Sequence, residues 1–474
     1  HKEYRRQRQM CIRDSYYSFS ALAPSDRARS SLKMRKTSAD NFKHHFSMES
    51  LESIVKSNLR AGLARGVDGV SYDRFMSSKN EHLNLINRKV LNGSYGFTPF
   101  REKLLLKGAH QAPRQVSIPT IRDRVTLRAL NNFLVDTFPQ ARPTHSHHTV
   151  SAVIRAIRDS GPNQSFIKLD IKTFYDDIDH KILLKNLGSK IRFQSAHKLL
   201  HAALTTPTGT SVADDEKRVK GVPQGLSISN ILASIYLMNI DRTYNAHPDL
   251  SYHRYVDDIL CVAPSETAAD FFKDIQSSLE KKKRLVIHKI GSGKSAILQS
   301  TERLDYLGYS FFGKNVSVRE KSIQKLLNSL MQIIHTTKES SLKRSLWRLN
   351  LRISGCQYQK NKLGWMFYFS QIDDLSLLVR IDAQIRKAFI RKFGAEKAKE
   401  CKRLIKAYHE IKYNLKRTHY VPNFDVITHA DKRAILDVVE PKRSYVDNQV
   451  EAAFDRLIAK EIRDMERDTI EALS

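Results

Sequence analysis

The sequence predicts an α+β fold, and three observations predict it. Short apolar runs bounded by turn residues recur between residues 97 and 312 and read as strands. Helical periodicities of apolar residues separate them. Beyond residue 318 the pattern becomes almost wholly helical and basic.

In chain order, helical spacing begins at Ser47 with Leu51, Ile54, Val55 and Leu59, and leads into a turn at Gly66-Val67-Asp68-Gly69. Phe100 to Leu106 and Gln115 to Ile118 predict two strands, joined by a basic loop from Lys107 to Arg114. A helix is expected from Arg122 to Leu134. Phe166 to Ile171 reads as a short apolar strand with Asp170 near its end. Helical patterns cover Lys181 to Ala203 and Ile228 to Ile240. Leu250 to His253 and Ile259 to Val262 read as two strands with Asp257-Asp258 at the tip of the hairpin. A helix over Glu266 to Lys281 and strands near Leu285 and over Leu304 to Phe312 follow. Ser322 to His335, Leu342 to Leu351, Leu375 to Phe393 and Lys397 to Asn414 predict helices. Residues 447–474 predict a last one, with eight acidic and four basic residues.

The 474 residues suffice for two or three domains. Eighty Lys and Arg against fifty Asp and Glu leave a charge of +30, which points to a polyanionic partner. Residues 1–43 alone carry eleven Lys or Arg and four Asp or Glu, and read as a mobile or nucleic-acid-contacting arm. No apolar run has transmembrane length, and neither a basic amphipathic helix nor a lipidation signal marks a membrane role. Cys11, Cys261, Cys356 and Cys401 are widely spaced, which fits a reduced, cytosolic protein and neither a zinc site nor a disulfide framework.

The chemistry concentrates in a few segments. Adjacent carboxylates at Asp257 and Asp258 repel one another and favour a cation between them. Asp170 supplies a third carboxylate about 90 residues earlier. Three such groups suit Mg²⁺, which takes hard oxygen ligands and leaves the remaining positions to substrate and water. Between them, Gly221-Val222-Pro223-Gln224-Gly225 opens a helix and lets backbone approach a ligand closely. Gly291-Ser292-Gly293-Lys294-Ser295 has phosphate-loop character but lacks the first glycine of that motif.

In this order, Asp170, Pro223-Gln224-Gly225, Tyr255-Val256-Asp257-Asp258 and Leu304-Asp305-Tyr306-Leu307-Gly308-Tyr309 resemble the palm of reverse transcriptases. Gly66 to Val70 and Arg114 to Arg124 resemble the fingers motifs of bacterial enzymes related to retrons and group II introns. The resemblance covers roughly residues 50–315 and implies a right-hand polymerase fold. Its parts would be an arm over 1–45, fingers over 46–165, a palm over 166–313, a helical thumb or RNA-binding region over 314–420 and a helical extension over 421–474. The palm would be an antiparallel sheet backed by helices. It implies two Mg²⁺ ions, with Mn²⁺ as a substitute, held by Asp170, Asp257 and Asp258, with Ile171 as a further metal contact. Arg114, Lys107, Tyr175, Gln224 and Tyr255 would meet the dNTP. Tyr175 would exclude a 2′-hydroxyl, and Lys294 would protonate the leaving pyrophosphate.

Arg352 to Cys356 and Gly364 to Asp374 resemble the helical extension of phage-defence reverse transcriptases. That resemblance implies a bacterial cytoplasmic enzyme that copies a partner non-coding RNA into cDNA, in some relatives as a homo-oligomer. The segment Ser227-Ile228-Ser229-Asn230 departs from the Ser-Pro or Thr-Pro of intron enzymes, and neither an HNH nor an RNase H pattern follows. Alternatives from the residues are a retron- or intron-like enzyme, a template-independent nucleotidyl transferase and a non-catalytic RNA-binding scaffold.

Overall fold

The computed structural model describes residues 37–60, 62–105, 113–209 and 219–470. Most of the basic arm and Lys107 lie outside the described residues. The chain divides into two compact units, one of residues up to His145 plus Asn163–Ile297 and one of Ser146–Pro162 plus Leu298–Ser474.

The first unit holds a two-stranded ribbon, β1 (Arg101–Leu105) with β2 (Arg114–Ile118), paired antiparallel. Its main sheet is built on β3 (Gln164–Asp170), β4 (Ser251–Tyr255) and β5 (Asp258–Pro264), antiparallel in the order β4-β5-β3. A fourth strand, β6 (Ala296–Gln299), begins where the chain leaves the unit. The run Ile259 to Ala263 in β5 is buried without alternation, and β5 is an inner strand of the sheet. The helices Ser229–Asn245 and Ala268–Lys283 supply the apolar cover, with Ile231, Ile235, Phe272 and Ile275 in one core with Ile167 and Ile259.

The helix Ile121–Thr137 explains the Arg114-to-Arg124 motif. Thr120 caps it by accepting from Asp123 N–H. Buried Asp123 accepts from Tyr95 Oη at 2.7 Å, Thr98 N–H at 3.2 Å and Thr120 Oγ1 at 2.8 Å. Arg124 donates to the carbonyls of Pro119 and Ala64, and Gly66 packs so closely on Thr120 that a Cβ there would sit 2.7 Å from its Cα. These two residues therefore tie three chain segments together.

Two expected helices are each broken in two. The stretch over 181–203 is His180–Gly188 and Gln194–Thr205, and that over 397–414 is Ala395–Ala398 and Leu404–Tyr413. No strand forms at Leu285; only an isolated bridge joins Ile171 to Ile287. Helices at Lys79–Leu91, Ser146–Asp159 and His429–Val439 had no counterpart in the sequence reading.

In the second unit, β7 (Arg303–Tyr306), β8 (Tyr309–Phe312) and β9 (Asn315–Val318) form a meander. Leu307 and Gly308, at φ 47° and 81°, make the two-residue turn between β7 and β8. Trp365, Met366 and Phe369 are buried, so the aromatic cluster is core. The acidic last helix, Asp447–Ile470, is part of this unit's own core through Val450, Phe454 and Ile458. Its carboxylates meet arginines of the helix Leu342–Ser354: Arg348 reaches Glu461 at 2.9 Å and Arg352 reaches Asp468 at 2.5 Å. These acidic side chains are thus met by arginines of the same chain. Among the described residues no helix is long and apolar enough to cross a membrane.

Candidate active site

The register of the sheet brings the carboxylates together. Asp170 ends β3 and stands directly opposite Asp258, the first residue of β5. Tyr255 also pairs with Asp258, so Val256 and Asp257 form the two-residue turn between β4 and β5. Asp257 alone sits at the tip, whereas Asp258 lies within the strand. The main chain locks the arrangement: Ile171 N–H donates to the Asp257 carbonyl at 3.3 Å, and His288 N–H to the Asp170 carbonyl at 2.9 Å.

Val256 has φ 58°, a conformation that costs a β-branched residue about 1–3 kcal/mol. Arg254 holds the turn in place. Its Nη1 donates to the Val256 carbonyl at 2.8 Å, while Nε and Nη2 grip Asp241 at 2.7 and 2.5 Å. Tyr252 Oη adds a third bond to Asp241 at 3.0 Å. Sequence reading missed Arg254 and Asp241; the only signal is an Arg two residues before the left-handed turn residue.

Half-buried Asp257 and Asp258 are held toward the protonated form. Burial pushes the Asp258 carboxyl up to about 7, and the charge of Asp257 adds to it. Burial also raises Asp257, with Asp170 adding to the rise and Arg114 and Lys294 opposing it. Lys294 Nζ lies 3.6 Å from Asp170 Oδ2 and 3.3 Å from His288 Nε2, and His288 Nε2 lies 3.5 Å from Asp170 Oδ1. His288 was not anticipated. Its lowered pKa follows from burial and from Lys294, so at neutral pH it is a neutral neighbour of Asp170.

The nucleotide-binding candidates form a second group. Arg114 Nε donates to Gln224 Oε1, and its guanidinium lies 6.0 Å from the centre of the Tyr175 ring. Gln224 Nε2 donates to Asp176 Oδ1 at 3.2 Å, and its carbonyl accepts from Ser117 N–H at 2.7 Å. Tyr175 Oη donates to Asn230 at 2.5 Å, and the Tyr175 carbonyl accepts from Val222 N–H at 2.7 Å. Gly225, at φ 100°, is required here, since a Cβ would fall 2.6 Å from Val116 Cγ1. The effect of Arg114 on Asp257 links the two groups electrostatically.

Among the described residues no set of three or more His, Cys, Asp or Glu side chains encloses a common point. A hard cation that keeps water and substrate phosphates needs only one or two carboxylates from the protein. Asp170 and Asp258 in direct register, with Asp257 adjacent and both Asp257 and Asp258 raised by burial and by the neighbouring carboxylates, fit that requirement.

Residues 105–311 match the family described as reverse transcriptase (RNA-dependent DNA polymerase). The group II intron-encoded protein LtrA of Lactococcus lactis subsp. cremoris is 26% identical over 197 residues, 40% of this chain and 32% of the relative. The COX1/OXI3 intron 1 protein of Saccharomyces cerevisiae is 28% identical over 170 residues, 34% of this chain and 20% of the relative. The chain thus spans a third or less of these relatives. The solved telomerase of Candida albicans, in complex with a fragment of telomeric RNA, aligns with 79% of this chain and 68% of its own at 14% identity and a TM-score of 0.38.

Proposed function

We propose, from the premise that residues 105–311 are a reverse transcriptase domain related to those of intron-encoded proteins, that this chain is an RNA-directed DNA polymerase. The observation that carries the reading is the register of Asp170 against Asp258 with Asp257 on the adjoining turn. Asp170, Asp257 and Asp258 hold Mg²⁺, with Mn²⁺ as a substitute and Ile171 beside them. Metal bound by these carboxylates would supply activation of the attacking 3′-hydroxyl and neutralisation of charge on the triphosphate. Arg114 binds phosphate oxygens through its planar guanidinium, and Lys107 assists. Gln224 and Tyr255 contact the incoming nucleotide. Tyr175 places a ring under the sugar and leaves no room for a 2′-hydroxyl. Lys294 donates a proton to the leaving pyrophosphate oxygen.

The biological setting we infer is antiphage defence, with a non-coding RNA as template and cDNA as product. Support comes from the resemblance of residues 352–374 to the extension of such enzymes. Similarity to intron-encoded proteins favours a second setting, in which the chain serves an intron- or retron-like element. The test is to purify the protein with the RNA it carries, add Mg²⁺ and labelled dNTPs, and sequence both strands. DNA complementary to one bound small RNA supports the defence setting. Intron sequence in the bound RNA moves the reading to the second. Incorporation that survives ribonuclease identifies a template-independent transferase instead.

A further inference from the structure

We infer that the second unit carries a docking surface for unpaired RNA on the helix Leu404–Tyr413 and the turn that follows it. The choice of RNA among polyanions rests on the function proposed above; the surface itself rests on charge and aromatic placement. Between residues 399 and 420 seven Lys or Arg face two acidic residues. One of the acids, Glu410, is engaged by Asn414 Nδ2 at 2.8 Å. The cations are outside: Arg403, Lys406, Lys412, Lys416 and Arg417 are all exposed. Basic residues near a helix C-terminus are ordinarily explained by the helix dipole. That explanation covers Lys412, in the last turn, but neither Arg403 and Lys406 in the first turns nor the residues beyond the helix.

The aromatic residues separate this surface from a solvated basic face. Tyr413 is 72% exposed, the most exposed large aromatic ring among the described residues, and it stacks on His409 with centroids 6.0 Å apart at 25°. Lys406, His409 and Tyr413 fall at helical spacings of three and four, so they form one stripe. Tyr420, by contrast, has Lys402 and Lys406 over its ring at 5.1 and 4.8 Å. Lys402 also donates to the Tyr420 carbonyl at 2.6 Å, which fastens the turn back onto the start of the helix. The result is a ring pair offered to solvent on a helix rich in exposed cations, with Lys412 Nζ 5.9 Å from the centre of the Tyr413 ring. That combination suits single-stranded nucleic acid, whose bases can stack while its phosphates are neutralised. A duplex offers no open base face to stack on.

The test measures binding of the full chain to a short labelled oligouridine, without Mg²⁺ or dNTPs, across a range of salt. Tyr413→Ala should weaken binding roughly tenfold, within the range of about 1–3 kcal/mol for one stacked base, and Tyr413→Phe should restore it. The triple variant Lys406→Ala/Lys416→Ala/Arg417→Ala should lower the slope of log affinity against log salt by about 2, at ~0.7 for each phosphate contact on a single strand. Because no catalysis is read, loss of polymerase activity would not mimic failure here. Unchanged affinity in Tyr413→Ala, equal binding of duplex RNA, or displacement of the RNA by polyglutamate at the same charge concentration would each overturn the inference.

Discussion

Val256 occupies a left-handed conformation that a β-branched residue disfavours, and the neighbouring arginine explains how it is kept there. Arg254 spends two nitrogens on Asp241 and the third on the turn carbonyl. Arg254→Gln should cost about 3 kcal/mol, toward the low end for breaking a largely buried ion pair, because Asp241 keeps some access to water. It should also depress kcat with little change in the KM for dNTP, since the turn presents Asp257 without touching the nucleotide. Arg254→Lys, which keeps charge but loses the planar fork, should recover only part of each loss. Thermal melts and steady-state kinetics check both. Asp258 makes a pH prediction. Its folded pKa near 7 lies above the ordinary carboxylate value, so the folded, metal-free protein holds a proton there that the unfolded chain releases. The group's contribution to stability is present at low pH and is lost as pH rises from about 4 through 7. Denaturant melts in EDTA at pH 5 and 7.5 should show that Asp258→Asn removes this decline relative to wild type. At Tyr175 the ring, and not its hydroxyl, should govern sugar choice. Tyr175→Ala should raise incorporation of rNTP relative to dNTP by an order of magnitude or more, and Tyr175→Phe should leave the ratio near wild type, as gel-resolved extension products will show.

Among elements, those with strong apolar periodicity were legible in the sequence. The helix Leu375–Phe393 and the strands around the Asp-Asp pair emerged with bounds within a residue or three. The breaks were not. Helical spacing resumes after residues 189–193, so the interruption leaves no trace in the pattern, although Gly188 marks it in retrospect. The placement of Asp257 on the turn and Asp258 in the strand depends on a two-residue loop that follows from register and not from composition. Asp241 and His288 act through contacts with other elements, to Arg254 and to Asp170, and no local pattern announces them. The composition of the acidic last helix does not show which of its carboxylates are paired; folded, its inner carboxylates meet Arg348 and Arg352. Arg352→Met should therefore cost about 3 kcal/mol by stranding Asp468. Arg352→Met combined with Asp468→Leu should recover most of that loss. Equal melting temperatures for the single and double variants would contradict this account.

For the whole molecule, the first unit gathers the carboxylates and the nucleotide-binding candidates, and the second gathers exposed basic and aromatic residues on one helix and its turn. The overall excess of positive charge fits a chain that handles a polyanion in both. The central claim is that Asp170, Asp257 and Asp258 form a metal-dependent polymerase site. Its most direct test is extension of a DNA primer on an RNA template by wild-type protein and by Asp257→Asn, each with Mg²⁺ and with EDTA. The account predicts template-complementary DNA from wild type with Mg²⁺ alone, and a loss of at least a thousandfold in a variant that still folds. Extension that persists in Asp257→Asn or in EDTA would contradict it.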